Sequence, residues 1–246
     1  VGISFFQTCM DIVLEMYKRI RKLSPQSKIV LGHYGALAFN AYYSEDFKKD
    51  HADYVCVGEG VRFFRRLLGE PEDAPITQSH LPRCGENLPW LDQHPKGYVG
   101  WVTAGLGCPS GCDLCATTEM HGNQRDLLYS AEQVFKEMKR YRTYPDTLTV
   151  VVYDEDWLKY TDEVRELGRL IQEDTEFGLK KLSWNALSSI ESLYQYELDE
   201  LPLTGFKFTF IGVESKFAPT EGYQKRTGDA KDTIQELLKR GIVVNG

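Results

Sequence analysis

Short runs of hydrophobic residues alternate with amphipathic segments along most of the chain. In the first part the runs cover residues 1–6, 27–32 and 52–60, and each is short, apolar and opened or closed by glycine. Such runs are typical of strands that are buried on both faces. Residues 8–23 instead have apolar side chains at three-and-four spacing, which predicts a helix; these are Met10, Val13, Leu14 and Tyr17. The alternation predicts a parallel sheet that binds ligands at the carboxyl ends of its strands.

The pattern is interrupted between residues 69 and 97. This segment has no sustained hydrophobic period, and it contains Pro71, Pro75, Pro82, Pro89 and Pro95. We interpret residues 71–96 as a linker. A first domain then covers residues 1–70 and a second domain covers residues 97–246.

The alternation resumes in the second domain. Further strands are predicted at residues 98–105, 147–154, 181–187, 205–215 and 242–246. Ser130 and Gln133 form a capping box before one of the intervening helices. The last helix is predicted from an apolar stripe made of Ile234, Leu237 and Leu238. Successive strand–helix units predict a partial β/α barrel, whose chemistry would lie at the carboxyl ends of the strands.

Composition and charge narrow the class of protein. The chain has 246 residues, of which 42% are hydrophobic, and this is typical of a folded globular protein. A formal charge of −7 argues against non-specific binding to nucleic acid or to an anionic membrane. No run approaches the roughly 18 apolar residues of a membrane span. Clustered cysteines are typical of metal binding in a reducing compartment, so we expect a cytoplasmic protein.

Three of the six cysteines lie within eight residues, in the stretch GCPSGCDLCATTEMHG (107–122). Cys108, Cys112 and Cys115 can direct their sulfur atoms to one centre if the chain forms a loop, and Pro109 and Gly111 favour a loop. Three thiolates hold a 4Fe-4S cluster with one iron free for an outside ligand. The alternatives are a zinc site completed by His121 or Cys84, and three buried thiols without metal.

The sequence Cys108-Pro-Ser-Gly-Cys112-Asp-Leu-Cys115 resembles the CxxxCxxC motif of radical S-adenosylmethionine (SAM) enzymes. Arg125 with YSAEQVFKEMKR, then YDEDWL and FIGVESKFAPTEGYQKRTG, are similar to later segments of that family's barrel. The segments VGISFF, IVLGHYGAL and ADYVCVGEG look like the second half of the cobalamin-binding domain in the cobalamin-dependent branch. Leu114 replaces a usual aromatic residue. Ser4-Phe5-Phe6 and Gly32-His33 depart from the Ser-x-Leu and Gly-Gly signatures.

The resemblance implies an α/β fold, with a partial Rossmann-like cobalamin-binding domain followed by a partial (β/α)6 TIM-like radical SAM barrel. We expect a fragment that lacks the start of the first domain and the end of the barrel. The implied cofactors are a 4Fe-4S cluster, SAM and cobalamin. The implied metal ligands are Cys108, Cys112 and Cys115, and the implied cofactor-binding residues are Ser4, Gly32, His33, Gly58, Glu59, Gly60, Asp154, Glu214 and Ser215.

Several of these residues also have a purely structural interpretation. Asp154 is part of an acidic turn, Glu214 and Ser215 would cap a buried strand, and a lone histidine such as His33 at a strand end is often structural. Glu59 is expected to fix the loop near the corrin tail.

The implied activity is reductive cleavage of SAM to a 5′-deoxyadenosyl radical, with cobalamin-dependent methyl transfer to an unactivated carbon. Radical ring formation or rearrangement is the alternative reaction. We expect a small-molecule or lipid-like substrate and a reductant such as flavodoxin or ferredoxin, with no nucleic acid and no membrane span. A zinc-stabilised binding module and a sensor that binds SAM or cobalamin without turnover are the alternatives to an enzyme.

Overall fold

The chain divides into two compact units in a computed structural model. The structure describes residues 1–76, 97–113, 115–178, 182–213 and 230–246, together with the backbone of residues 83–85. The first unit contains Val1–Ile76 and also Cys115–Gln124, and the second contains Thr77–Leu114 and Arg125–Gly246. The ten residues that follow Leu114 therefore belong with the beginning of the chain.

Short strands alternate with helices in both units. The strands are β1 (Gly2–Ser4), β2 (Val30–Gly32), β3 (Tyr54–Val55), β4 (Arg83–Gly85), β5 (Tyr98–Thr103), β6 (Gly105–Leu106), β7 (Asp126–Leu127), β8 (Thr147–Tyr153), β9 (Ser183–Ser188), β10 (Phe206–Ile211) and β11 (Val243–Asn245). The α-helices are α1 (Met10–Leu23), α2 (Tyr34–Tyr42), α3 (Glu45–His51), α4 (Gly60–Leu68), α5 (Ala116–Met120), α6 (Ala131–Arg142), α7 (Thr161–Glu173), α8 (Ile190–Leu193), α9 (Glu200–Leu203) and α10 (Ala230–Lys239). Short 3-10 helices cover Gln7–Cys9 and Trp157–Lys159.

The first unit contains a parallel sheet in the order β1-β2-β3. Its core consists of Ile3, Phe5, Val13, Ile29, Leu31, Ala36, Phe39 and Ala52. The stripe predicted for α1 is confirmed, because Val13 is buried and Met10, Leu14 and Tyr17 pack against this core. Gly35 is needed at the start of α2, since a Cβ there would lie 2.3 Å from the Phe5 ring. This close approach holds α2 against the end of β1.

The second unit contains a six-stranded sheet in the order β11-β10-β9-β8-β5-β4, together with a small β6–β7 ladder. All pairs of the large sheet are parallel except β4–β5. Along β9, Trp184 and Ala186 are buried in the core under the helices, whereas Ser183 and Asn185 are half-buried on the opposite face. Residues 183 and 185 therefore share the face of the sheet opposite to Trp184 and Ala186, as the alternation of side chains along a strand requires.

The Tyr141 side chain of α6 packs directly on β5. Its hydroxyl donates to Trp101 O at 2.8 Å and accepts from Trp101 N at 2.9 Å. A Cβ at Gly100 would lie 2.7 Å from the Tyr141 ring, so glycine allows this approach. The capping box of Ser130 and Gln133 is present at the start of α6, as predicted.

The mixed α/β architecture with parallel sheets is confirmed, but three local expectations need correction. Within the segment 71–96, which we interpret as a linker or an extended connection, residues 83–85 form a strand that was not predicted, β4, and it hydrogen-bonds to the edge of β5. The strand predicted at 52–60 has two residues in β3, because the chain turns at Gly58 with φ of 100°. Leu238 is 52% exposed, and Thr233 takes its place with Leu237 on the buried face of α10.

The described residues contain no helix that combines the length and the hydrophobicity needed to cross a membrane.

Candidate functional site

The carboxyl ends of the first sheet bring several predicted site residues together. Ser4 and Gly32 are direct partners in the β1–β2 register, and both are the last residues of their strands. Ser4 is exposed, and Gly32 is half-buried. His33 follows immediately. A ligand lying on this edge of the sheet would meet all three residues.

His33 has an unusual backbone conformation, with φ of 69°. This region suits glycine and costs a histidine roughly 1–3 kcal/mol, so the surrounding contacts must hold it there. The imidazole lies 4.6 Å from the Phe6 ring and 4.6 Å from the Tyr34 ring, measured between centroids. Phe6 is 57% exposed. The edge thus presents a partly exposed aromatic group next to the ends of β1 and β2.

The loop after β3 is organised by Glu59. Its carboxylate accepts hydrogen bonds from Val61 N at 2.6 Å and from Arg62 N at 2.7 Å, so it is the N-cap of α4. Gly58 precedes it with φ of 100°, a conformation that glycine adopts readily. A Cβ at Gly60 would meet no atom within 4 Å. Glu59 therefore has a defined structural role, and Gly60 leaves open space beside it.

The cysteine loop starts at the carboxyl end of β5 and is closed at its base by a short ladder. Leu106 pairs with Asp126, and Gly105 pairs with Leu127, so β6 and β7 enclose residues 107–125. Gly107 and Gly111 have left-handed φ values of 80° and 67°. They provide turns that residues with a side chain rarely adopt.

Cys108, Cys112 and Cys115 are all partly buried, and none of the three is in a disulfide bond. The Cys108 thiol donates to Ser110 Oγ at 3.2 Å, and Lys159 Nζ donates to the same oxygen at 2.8 Å. Cys115 is the N-cap residue of α5, and its side chain makes no capping hydrogen bond. Within the described part of the chain, no three Cys, His, Asp or Glu side chains are already gathered around one metal position.

The donor set of this loop fits an iron–sulfur cluster in its chemistry. Soft thiolates are the ligands of such clusters, and three of them on a glycine-containing loop are close enough in sequence to reach one centre. The Lys159 ammonium group next to Ser110 places a positive charge beside the loop, which stabilises negative charge there. For the zinc alternative, His121 is the C-cap residue of α5 and is half-buried, and the Cys84 side chain lies outside the described residues.

Asp154 follows the last residue of β8 and is 1% exposed. Its Oδ2 accepts from Arg125 Nε at 2.7 Å, and its Oδ1 accepts from Asp156 N at 3.2 Å. Both carboxylate oxygens thus have protein partners. Because Asp154 is buried among these partners, a SAM amino group could reach it directly only if neighbouring residues moved.

Arg125 is the centre of this buried polar cluster. It also donates to both carboxylate oxygens of Glu163, at 3.0 and 3.3 Å, and its guanidinium lies 3.6 Å from the centroid of the Tyr160 ring. A Cβ at Gly105 would lie 2.2 Å from Asp154 Oδ2 and 2.9 Å from Arg125 Nε. Glycine is therefore required where β6 passes the ion pair.

Burial shifts the pKa values of the ionisable side chains in this cluster. Burial raises the pKa of Asp154, and the neighbouring Arg125 offsets only part of this effect. Burial lowers the pKa of Arg125, but its bonds to Glu163 and Asp154 outweigh this and raise it overall. Burial also raises the pKa of Tyr160, to about 12. Tyr160 is consequently neutral at physiological pH.

A second buried carboxylate connects β8 to α8. Asp156 is 6% exposed; its Oδ1 accepts from Ser189 N at 3.1 Å, and its Oδ2 accepts from the hydroxyls of Ser189 and Ser192, each at 2.8 Å. These bonds give Asp156 a structural role in the turn after β8 that does not depend on a ligand. Of the remaining predicted site residues, Glu214 and Ser215 lie outside the described residues.

Sequence reasoning did not predict the pairing of Arg125 with Asp154. The two residues are 29 positions apart in the sequence. The residues around Arg125 form no periodic pattern that would indicate its partner. Gly105 gave a weak signal, as a glycine within a predicted strand often marks a close approach.

Comparisons with known proteins show which fold the chain has, but they do not assign it to a sequence family. No protein-family model matches the chain, and a search of curated proteins found no match. Among solved structures, the radical SAM methyltransferase TsrM from Kitasatospora setae, with tryptophan substrate and the SAM analogue aza-SAM bound, is 16% identical with a TM-score of 0.66. TsrM with cobalamin and a [4Fe-4S] cluster bound is 17% identical, also with a TM-score of 0.66. Apo, selenomethionine-labelled OxsB, a cobalamin-dependent SAM radical enzyme, is 17% identical with a TM-score of 0.59.

Each match covers 99% of this chain, but the chain spans only 55% of TsrM and 40% of OxsB. The likeness extends through both units rather than through one of them. The resemblance predicted from the sequence is therefore confirmed at the level of the fold, which this chain shares with cobalamin-dependent radical SAM enzymes.

Proposed function

We propose that the chain forms part of a cobalamin-dependent radical SAM enzyme. The observation that carries this proposal is the position of the cysteine loop, which leaves a parallel α/β sheet at the carboxyl end of β5 and is closed by the β6–β7 ladder. That end of a parallel sheet is where ligands bind in β/α architectures. The shared fold supports the same conclusion.

In this proposal the loop residues hold the cluster and leave one iron open to SAM. Cys108, Cys112 and Cys115 are the three thiolate ligands, and Lys159 contributes positive charge through its bond to Ser110. When bound, the cluster supplies the electron that cleaves SAM to a 5′-deoxyadenosyl radical, and cobalamin supplies a methyl group. The implied product is a methylated small molecule or lipid-like compound.

The remaining residues act by orientation. Asp154 holds Arg125 at the base of the cysteine loop, one residue before β7, and Gly105 makes room for the pair. In the first unit, Ser4, Gly32 and His33 form the edge on which a corrin would lie, and Glu59 caps α4 beside Gly58 and Gly60. Glu214 and Ser215 are proposed SAM contacts on the basis of the sequence resemblance alone, and so is the use of a flavodoxin or ferredoxin as reductant.

The proposed layout is a partial Rossmann-like domain followed by a partial (β/α)6 barrel. The three-stranded sheet supports the first part, and the parallel strands β5, β8, β9, β10 and β11 support the second.

The deciding experiment measures iron, acid-labile sulfide, zinc and cobalamin in anaerobically reconstituted protein, followed by EPR of the reduced protein before and after SAM is added. We expect about four irons and four sulfides per chain and a signal that changes with SAM. Cys112→Ala is expected to lose the cluster. Cys9→Ala is the matched control, since Cys9 is also a partly buried free thiol but lies in the first unit.

Zinc with no sulfide would contradict the proposal and favour a zinc-stabilised binding module. A cluster and cobalamin without formation of deoxyadenosine would favour a sensor. Deoxyadenosine without a methylated product would favour the radical ring formation or rearrangement that shares this architecture.

A further inference from the structure

The helix that follows the third cysteine depends on the first unit for its position. Helix α5 has only five residues, Ala116–Met120, and isolated helices of this length are unstable in water. Its N-cap residue, Cys115, gives it no side-chain hydrogen bond. Packing against other elements must therefore hold it in place, and the segment Cys115–Gln124 is grouped with Val1–Ile76.

One hydrogen bond fixes α5 to the carboxyl edge of the first sheet. The hydroxyl groups of Tyr34 and Thr117 lie 2.7 Å apart, and Thr117 is only 4% exposed. Tyr34 is the first residue of α2, directly after His33. Because a buried hydroxyl that loses its partner costs about 1–3 kcal/mol, this contact favours one position of α5.

A second contact lies on the same edge. A Cβ at Gly58 would lie 3.4 Å from the carbonyl oxygen of Met120, the last residue of α5. The loop after β3 therefore approaches the far end of the helix, while Tyr34 contacts its second residue. One end of α5 therefore contacts the start of α2, and the other end lies close to the loop after β3.

The chain then reverses through a tight turn. Gly122 and Asn123 both have left-handed φ, 60° and 58°, and Asn123 N donates to Thr118 O at 2.9 Å. Two residues later, Arg125 enters the ion pair with Asp154. The segment is thus fixed along its length by Tyr34 and by the loop at Gly58, and it is fixed again where it ends.

We infer that Tyr34 and Thr117 are positioning residues for the third cluster ligand. Cys115 immediately precedes α5, so a displacement of α5 displaces the Cα atom of Cys115. Through this bond the carboxyl edge of the first sheet would set the position of the Cys115 thiolate within the first unit. The inference rests on the proposed function, because it requires that Cys115 bind the cluster.

The test uses the full chain with its reconstituted cluster and four single variants. Tyr34→Phe and Thr117→Val each remove one hydroxyl and nearly preserve shape, whereas Thr117→Ser keeps the hydroxyl. Tyr42→Phe is the control, because Tyr42 is at the other end of α2 and 76% exposed. The readouts are the rate of iron loss to an excess of chelator and the EPR spectrum with SAM.

We expect Tyr34→Phe and Thr117→Val to lose iron about 3- to 10-fold faster than the unmodified protein, as the loss of one buried hydrogen bond implies. Both should also broaden or shift the EPR signal. The double variant should be no worse than either single variant, and Thr117→Ser and Tyr42→Phe should behave like the unmodified protein.

The possible failures are distinguishable. If the unmodified protein holds no cluster, the proposed function is wrong and this inference falls with it. If it holds a cluster that Tyr34→Phe and Thr117→Val retain equally well, only the inference is wrong. Equal iron loss from Thr117→Ser and Thr117→Val would also overturn it, since the hydroxyl would then not be the cause.

Discussion

Asp53 in the first unit and Asp154 in the second each accept hydrogen bonds from an arginine and from a backbone amide, yet their pKa values shift in opposite directions. Asp53 bonds to Arg21, to Ile29 N at 2.8 Å and to Lys28 at 3.2 Å, and its side chain is 17% exposed. Burial raises the pKa of Asp53, but these three donors outweigh it and lower the pKa to about 2. Asp154 is 1% exposed, and burial there prevails over Arg125.

The two carboxylates differ in solvent access and also in the number of cations, since among the described residues Asp53 contacts both Arg21 and Lys28 and Asp154 contacts Arg125 alone. Near the surface a carboxylate is already solvated, so added donors favour its charged form. In the interior, the free energy lost by removing the carboxylate from water exceeds the free energy gained from one arginine. The contribution of such a buried pair is therefore the geometry that it imposes. The Asp53 pair joins α1 to the start of β3, whereas the Asp154 pair fixes the base of the cysteine loop.

Breaking the buried pair should have the largest effect. Arg125→Met leaves Asp154 buried without its cation and also removes the bonds to Glu163, so we expect the free energy of unfolding to fall by about 3–5 kcal/mol. Urea unfolding followed by circular dichroism measures the loss. The matched variant Arg21→Met should lose clearly less, because its carboxylate keeps Ile29 N, Lys28 and solvent. Equal losses would mean that burial does not distinguish the pairs.

Adding a methyl group next to the buried pair, with both charges kept, should cause the second largest loss in the free energy of unfolding. Gly105→Ala forces a Cβ to within 2.2 Å of Asp154 Oδ2, and we expect a loss of about 1–3 kcal/mol in the free energy of unfolding. Gly60→Ala is the control, because a Cβ there meets nothing within 4 Å; it should stay within about 0.5 kcal/mol of the unmodified protein. A neutral Gly105→Ala would contradict the close packing described for this cluster.

The two carboxylates should give opposite pH dependences. Between its folded pKa of about 2 and its usual value of 3.8, Asp53 holds fewer protons in the folded state. The unmodified protein should therefore gain about 1–2 kcal/mol over Asp53→Asn as the pH rises through this window. Asp154 has a raised pKa and holds more protons when folded, so the unmodified protein should lose stability relative to Asp154→Asn as the pH rises above 3.8. Urea unfolding from pH 2.5 to 6 measures both slopes, and slopes of the same sign would refute the contrast.

Breaking the ion pairs of a solvent-exposed arginine should have the smallest effect on stability. Arg169 donates to Glu166 at 2.6 Å and to Glu173 at 2.5 Å, but its side chain is 50% exposed. We expect Arg169→Met to leave the urea midpoint within experimental error, because solvent already screens these charges. A loss as large as that of Arg125→Met would show that hydrogen-bond count, and not burial, governs these pairs.

Much of the fold could be predicted because local patterns determine it. The apolar runs gave the strands, and the stripe at Val13 and the capping box at Ser130 gave two helices. Strand β4 escaped prediction because an edge strand pairs through its backbone and needs no hydrophobic period. Leu238 was misassigned because two faces of α10 fit a three-and-four spacing equally well.

In the candidate site, too, features with a local sequence pattern could be predicted, and contacts between distant residues could not. The cysteine loop could be predicted because its spacing is contained in eight residues. The contact of Tyr34 with Thr117 joins residues 83 positions apart, and the pair of Arg125 and Asp154 joins residues 29 apart. Such contacts arise from the path of the chain in space, so no local pattern in the sequence indicates them.

Strand β4 also has a consequence for how the sheet can grow. A sheet gains strands only at an edge whose backbone groups are still unpaired. On one side β5 is hydrogen-bonded to β8, and on the other side it is hydrogen-bonded to β4, which runs in the opposite direction. Among the described strands, β11 forms the other edge of this sheet. A further parallel strand would therefore be added next to β11 and not next to β5.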